Sequence, residues 1–216
     1  MPVPLDILYQ DDDLIVVDKP SGVLSEGGGD RERDLEQLVS EIVGRRAFCC
    51  HRLDRLTSGA IALRTRNRLK REFAQLFEGH GVRKEYWLLT QGLWDPKIKR
   101  VQSRIDSLGR GRWANVQHGG KEAVSTFQLL GRHEASGLSF LRGLLKTGRT
   151  HQLRLHALKA KCPIVGDPLY GVERDDGLFG LHCRSLRFRH PETGQEVRAQ
   201  AEPPTNWQSL LDLFRV

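Results

Sequence analysis

Two short stretches of the chain concentrate groups able to do chemistry. The first runs His51-Arg52-Leu53-Asp54-Arg55-Leu56-Thr57-Ser58-Gly59, with Asp54 set between two arginines and followed by two hydroxyls. Flanking cations suit a charged carboxylate, and Thr57 and Ser58 can hydrogen-bond the turn that carries it. The second runs Thr147-Gly148-Arg149-Thr150-His151-Gln152-Leu153-Arg154-Leu155-His156. With a helix opening at Thr150, His151 and Arg154 fall three apart on one face, and free N–H groups point outward at its start. Arg149 and Thr150 there suit a phosphate, and Arg154 suits a buried carboxylate. Each stretch also has a plainer reading, as a turn with a surface ion pair and as a solvated basic helix start. His151 and His156 are five apart, too poorly aligned on a helix for a metal pair.

The elements that must position these stretches can be read from spacing. Leu5 to Tyr9 and Leu14 to Asp18 read as strands turned by Asp11, Asp12 and Asp13, and Pro20 ends the second. Gly27-Gly28-Gly29-Asp30 reads as a flexible loop that could follow a phosphate backbone. No Lys-Ser/Thr follows it, so it is no P-loop. Asp34 caps a helix with Leu35, Leu38, Val39 and Ile42 on one face and Gly44 at its end. Residues 48–54 and 60–65 read as strands, and Asn67 as the cap of a helix that buries Leu69, Phe73, Leu76 and Phe77. Tyr86 to Thr90 is a strand, Ile98 to Val116 a basic hairpin, and 123–130 and 138–145 are further strands. Thr150 opens a helix, strands follow near 181–188 and 195–200, and Trp207 to Phe214 is a closing helix behind Pro203-Pro204. Strands outnumber helices without regular alternation, which predicts an α+β fold with a central, mostly antiparallel mixed sheet flanked by helices and loops.

The chain has 216 residues, 38% of them apolar, and a net charge of +7. That length and composition suit one large or two small globular domains rather than disorder. No linker, repeat or low-complexity tract marks a boundary, so a single domain over 1–216 is expected. The basic balance favours a polyanionic partner, RNA or DNA before acidic metabolites. Apolar runs are too short for a bilayer span, and no signal peptide is visible, so the expectation is a cytoplasmic protein without membrane contact. Cys49, Cys50, Cys162 and Cys183 contain no C-x-x-C and read as thiols of a reducing compartment. A zinc site from Cys49, Cys50, His51, His182 and Cys183 has the wrong ligand spacing.

The nine residues around Asp54 resemble the catalytic motif of the RluA family of pseudouridine synthases, which isomerise uridine to pseudouridine in ribosomal or transfer RNA. Other motifs follow in order. Leu14 to Gly22 resembles the family's opening strand and its Lys-Pro-x-Gly turn, and Lys84-Glu85-Tyr86 its Lys-x-Tyr strand. Thr147 to His156, followed by Pro163-Ile164-Val165-Gly166-Asp167-Pro168-Leu169-Tyr170-Gly171, resembles the next motif, and Leu181-His182 with His190-Pro191 the last. One departure is Lys161-Cys162, where the family commonly has Gly-His. The resemblance implies the pseudouridine synthase fold as one catalytic domain, without the family's optional S4 RNA-binding domain.

It also implies roles. Asp54 becomes the catalytic carboxylate, by attack on C1′ or by removal of the 2′ proton. Arg154 becomes its ion-pair partner, and Tyr86 stacks on the uracil, its hydroxyl a candidate to take the C5 proton. His51 and Arg52 are expected to fill the space that the flipped base leaves. Arg55, Thr57, Arg149, Thr150 and His151 join the substrate-binding set, and Leu181 contributes an apolar wall. Uracil can leave as an anion delocalised over its carbonyls, so one carboxylate suffices where glycosidases use two, and no metal or cofactor is called for. Arg64, Arg66, Arg68, Lys70, Arg71, Lys97, Lys99, Arg100, Arg104, Arg110 and Arg112 are expected phosphate contacts, and Trp87, Trp94 and Trp113 possible stacking partners, Trp87 with a competing claim as core. The expected partner is a structured RNA, and the expected state a monomer. A non-catalytic RNA-binding module is disfavoured by the intact Asp54, Tyr86 and Arg154, and a hydrolase by the lack of G-x-S-x-G or a second carboxylate.

Overall fold

Leu14-Ile15-Val16-Val17 is apolar at every position, the pattern of a strand covered on both faces. In the computed structural model, which describes residues 5–28, 32–79 and 81–214, it forms β2 (Leu14–Lys19). β2 pairs antiparallel with β1 (Ile7–Gln10) on one side and with β4 (Ser58–Arg64) on the other, in the register Ile15 to Leu63 and Val17 to Ile61. Gly29 and Asp30 of the glycine-rich run lie outside the described residues.

The chain divides into two compact units. One takes the described residues up to Lys84 together with Cys183–Pro203, and the other takes Glu85–His182 with the residues from Pro204 on. In the first unit, β3 (Phe48–Cys49) also pairs with β4, and β10 (Leu181–Arg189) pairs with β11 (Glu196–Gln200). Helix α1 (Leu35–Val43) begins as expected. Asp34 accepts from the Gln37 N–H while the Gln37 side chain accepts from the Asp34 N–H, a complete capping box, and Gly44 closes the helix in the left-handed region. Helix α2 (Lys70–Glu78) starts two residues later than an Asn67 cap requires, because the Asn67 side-chain Oδ1 accepts from Arg64 instead. Phe77 of α2 packs edge-on against Phe188 of β10.

The second unit is built on β5 (Arg83–Gln91), β9 (Leu138–Leu145), β8 (Lys121–His133), β6 (Arg100–Gly109) and β7 (Arg112–Val116), paired antiparallel in that order. The basic segment is thus the hairpin β6–β7. Leu89, Phe140, Val165, Leu178, Trp207 and Leu211 form one core cluster, and Ile105, Ala123 and Leu155 a second. Trp94 is buried, with its indole N–H on the Ile98 carbonyl at 3.0 Å, which corrects its expected role in stacking on RNA. Trp87 packs edge-on against Phe140. The closing segment is a 3-10 turn, helix α4 (Gln208–Leu211) and another 3-10 turn rather than one continuous helix. Every pairing described is antiparallel, and the class is α+β.

Helix α3 (Gln152–Lys159) starts two residues after Thr150. Its N-cap is His151, held at φ 55°, a left-handed conformation that non-glycine residues seldom adopt. Gln152 through Ala157 are all buried, so this helix has no solvent stripe in its first turns. Its polar residues therefore need partners within the protein. They have them.

Candidate active site

The Asp54 turn is caged from within its own unit. The Thr57 N–H closes the turn on the Asp54 carbonyl at 3.0 Å. Leu53, Arg55 and Leu56 are each tied to the segment 19–25 by hydrogen bonds. Ser25 Oγ donates to the Leu53 carbonyl at 2.9 Å and accepts from the Leu53 N–H at 3.1 Å, so one hydroxyl satisfies both backbone groups of that residue. The Arg55 carbonyl accepts from Lys19 Nζ at 3.0 Å and from the Gly22 N–H at 2.9 Å. Arg55 Nε donates back to the Gly22 carbonyl at 2.9 Å, and Ser21 Oγ donates to the Leu56 carbonyl at 2.7 Å. The Asp54 carboxylate itself is half-buried at the head of this cage.

Lys19 is fully buried. Its ammonium donates to the carbonyls of Pro20 at 3.0 Å and Val23 at 2.8 Å as well as to Arg55, one acceptor for each N–H. Burial pushes its pKa down to about 7, against the upward pull of the Asp54 and Asp18 carboxylates. A buried cation thus sits within electrostatic reach of Asp54, a contribution the sequence did not suggest. Gly59 must be glycine. It lies at φ +109°, and a Cβ there would meet the Cys183 carbonyl oxygen at 2.3 Å.

The neighbours of Asp54 divide by exposure. Arg52 is exposed, 3.4 Å from Glu26, and Arg55 extends its Nη2 to Glu32 at 2.9 Å. The His51 ring is spent on packing rather than presented to a ligand: it stacks on Phe77 at 5.0 Å, and its Nε2 accepts from the Ala62 N–H at 3.2 Å. Burial holds it well below the ordinary histidine range, hence neutral. The buried Thr57 hydroxyl has no partner among the described residues.

The second unit builds a different device around Arg154. Arg154 Nε lies 2.8 Å from Asp167 Oδ2 and Nη2 lies 2.8 Å from Oδ1, a bidentate pair in which both side chains are essentially buried. The guanidinium also faces the rings of Tyr170 at 4.9 Å and Phe179 at 5.4 Å. Tyr170 bridges further, its hydroxyl lying 2.8 Å from His151 Nδ1 and accepting from the Trp113 N–H at 3.2 Å. Gln152 ties the motif to β8. Its Oε1 accepts from Thr147 Oγ1 at 2.7 Å and the Arg149 N–H at 3.0 Å, while its Nε2 donates to the Val124 carbonyl at 3.0 Å and Ser125 Oγ at 2.9 Å. Arg149 is exposed, with Nε on the Glu122 carbonyl at 2.9 Å, and Thr150 is half-buried. Tyr86 is buried on β5 opposite Gly143, and Leu181 is buried at the start of β10.

Lys19 and Ser25 hold the Asp54 turn and Asp167 pairs with Arg154, contacts that sequence reasoning did not supply. The only local signal was a lysine closing a wholly apolar strand and an aspartate in a Gly-Asp-Pro turn. None of the four cysteines forms a disulfide, Cys162 and Cys183 are buried, and burial pushes the Cys50 thiol up to about 12.

Residues 13–159 match the family model described as RNA pseudouridylate synthase. The chain belongs to that family. Uridine in RNA is therefore its substrate, and isomerisation to pseudouridine its reaction. Across 97% of the chain it is 32% identical to a tRNA pseudouridine synthase C of Salmonella typhi, 90% of which is covered. It is 33% identical to a ribosomal large subunit pseudouridine synthase D of Neisseria meningitidis serogroup A, over 100% of this chain and 62% of that one. Among solved structures, human RNA pseudouridylate synthase domain containing 4 superposes with a TM-score of 0.79 at 25% identity, over 97% of this chain and 93% of the other. The pseudouridine synthase fold expected from the motifs is thereby borne out.

Proposed function

We propose that this synthase modifies a uridine in a structured transfer or ribosomal RNA, with Asp54 as its catalytic carboxylate. The observation that carries this reading is the cage: the backbone on both sides of Asp54 is fixed by hydrogen bonds to Lys19, Ser21, Gly22 and Ser25. A site held so closely suits chemistry that depends on aim. Relatives named for transfer RNA and for large-subunit ribosomal RNA support the two substrate classes.

In the proposed reaction the N1–C1′ bond breaks and its electron pair leaves with uracil, spread over the ring carbonyls. The base turns in place, C5 bonds to C1′, the C5 proton departs, and N1 gains a proton. Atoms and charge balance without a co-reactant. Asp54 acts at the sugar, Arg154 pairs with and aims it, and Tyr86 stacks on the base, with Leu181 as apolar wall. Arg52, Arg55, Thr57, Arg149, Thr150 and His151 contact the RNA around the extruded nucleotide. The exposed guanidiniums of Arg52 and Arg149 support that role. We further take the enzyme to be a cytoplasmic monomer with one catalytic domain. Among the described residues, no helix is long and apolar enough to cross a membrane.

The test is complementation. A strain lacking the gene is supplied with wild type or Asp54→Asn, and carbodiimide-derivatised RNA is mapped for pseudouridine. The wild type is expected to restore specific sites and Asp54→Asn none, while still binding RNA. Sites restored by Asp54→Asn would overturn the assignment, and free uracil as product would replace isomerisation by hydrolysis. The mapped sites identify the RNA.

A further inference from the structure

We infer that the groove between the start of β6 and the end of α3 binds backbone phosphates of the RNA flanking the uridine, with Arg100, Lys159 and Lys161 as its cations. The inference rests on the reading that the substrate is a structured RNA. It adds a contact to that RNA at the opposite end of α3 from Arg154.

Ile98, Arg100, Val101, Gln102, Lys159 and Ala160 line an open groove of about 270 Å³. β6 pairs with β8 from Arg100 to Ile105, but β7 reaches only to Arg104, so the edge of β6 over 100–103 borders the groove. The Phe127 N–H donates to the Lys99 carbonyl at 2.9 Å, and the antiparallel alternation then turns the backbone groups of Arg100 and Gln102 away from β8. Lys159 Nζ donates to the Gln102 carbonyl at 3.0 Å, which brings the ammonium onto this edge. The Gln102 N–H points the same way and adds a neutral donor. Arg100 is held beside it, with Nη2 on Gln102 Oε1 at 3.0 Å. The Gln102 amide in turn donates to Glu122 Oε1 at 2.6 Å, so that carboxylate is met by an amide and not by a cation of the groove.

What sets this cluster apart is charge without a counter-charge. Arg132, Arg142, Arg154 and Arg174 of the same unit each pair with a carboxylate. Among the described residues Arg100, Lys159 and Lys161 pair with none, nor do Lys97 and Lys99 on either side of Ile98. Like charges gathered in this way favour a polyanion.

Lys161 adds a second line of argument. The N–H of Lys161 donates to the Leu158 carbonyl at 2.9 Å and that of Cys162 to the Ala157 carbonyl at 3.0 Å, the Schellman pattern. Glycine is the ordinary residue at the left-handed position of that pattern, yet a lysine holds it here at φ 60°. The chain thus accepts backbone strain that glycine would avoid and gains an exposed cation next to Ala160 of the groove. A helix C-terminus carries only about half a negative charge, which is outweighed by three whole positive ones.

The experiment uses the full-length chain and bulk transfer and ribosomal RNA from cells lacking the gene, tritiated at uracil C5. Lys161→Gly removes a cation and relieves the strain. Lys159→Gln removes another and keeps a donor for the Gln102 carbonyl. By filter binding between about 50 and 200 mM salt, each is expected to reduce the slope of log affinity against log salt by about 0.7–0.9, and the double variant by about twice that. In tritium release the loss is expected to fall on KM for RNA rather than on kcat. Lys161→Gly is also expected to keep or raise Tm while RNA affinity drops, a split that a purely structural lysine would not produce. Unchanged slopes in the double variant would overturn the inference. A lowered kcat at saturating RNA would also overturn it, by making the lysines supports of α3. Inorganic phosphate separates the two sources of this chemistry. If phosphate raises the Tm of wild type above that in chloride of equal ionic strength, the double variant loses the rise and the RNA slopes stay unchanged, the site is one for the free ion and the inference is overturned. If Lys159→Gln does not fold, Lys161→Gly decides alone. A wild type that releases no tritium from either RNA would instead defeat the underlying reading, and the binding slopes would still decide the groove.

Discussion

The ammonium of Lys19 lies 3.0 Å from the carbonyl oxygen of Arg55, joining the end of β2 to the residue that follows Asp54. The contact spans 36 positions in sequence, and it lets one strand end fix the turn that carries Asp54. Lys19 is buried and its pKa falls to about 7. The unfolded chain keeps that proton up to the free-lysine value of about 10.4. Between these limits the unfolded state binds more protons, so stability rises with pH from about 7 upward. Lys19→Met is expected to remove that rise and to cost about 2 kcal/mol or more at neutral pH by orphaning the Pro20 and Val23 carbonyls. Melting curves from pH 6 to 10 on both proteins check this. A parallel pH slope in the variant would assign the rise to another group.

Ser25→Ala tests the cage without touching a charge. One hydroxyl serves both backbone groups of Leu53, so its loss leaves a buried donor and acceptor unpaired. The expected cost is about 2–3 kcal/mol of stability. Turnover should fall while KM for RNA holds, because the damage reaches the aim of Asp54 rather than the exposed cations. Urea denaturation and steady-state tritium release read the two effects.

Local signals were legible and long-range ones were not. Asp34 and Gln37 form their capping box within four residues, so the start of α1 could be read directly. The same rule failed at Asn67, because Arg64 claims its side chain and no rule of capping shows that competitor. At α3 the start slipped from Thr150 to Gln152 because His151 takes a left-handed backbone that composition does not announce. The motif around Asp54 was recognisable, yet its cage was not. A lysine at a strand end reads as solvated, and only tertiary structure supplies three carbonyls to bury it. Likewise the need of Arg154 for a carboxylate was foreseeable, but Asp167 lies across a turn and a helix end.

His156 gives a second pH signature, of the same sign at lower pH. Its Nδ1 lies 2.9 Å from Ser125 Oγ and its Nε2 lies 3.0 Å from Ser103 Oγ. Burial, aided by Lys159, pushes its pKa down to about 4. Between about 4 and the ordinary histidine value near 6.5, the unfolded chain holds a proton that the folded chain refuses. Stability should therefore be lost as pH falls through that window, by up to about 3 kcal/mol in all. His156→Gln, which keeps a donor and an acceptor, is expected to flatten the curve between pH 4 and 6.5. Denaturation at stepped pH measures it, and an unchanged slope would rule out His156 as the source.

The hairpin β6–β7 separates cations free to meet RNA from those already engaged. Arg104 binds the turn after β7, with its Nη2 on the Gly120 carbonyl at 2.9 Å, so its loss should loosen the hairpin. Arg110 and Arg112 are exposed near the tip, and Arg110 holds a left-handed backbone at φ 50° that places it in the turn. If both meet phosphates, each releases about one counterion on binding. Arg110→Ala and Arg112→Ala should therefore each reduce the slope of log affinity against log salt by about 0.7–0.9, leaving kcat at saturating RNA intact. Filter binding from 50 to roughly 200 mM salt measures the slopes, a range over which phosphate contacts dominate. An unchanged slope in both variants would move the RNA path off this hairpin, and a fall in kcat would show that the tip also orders the site.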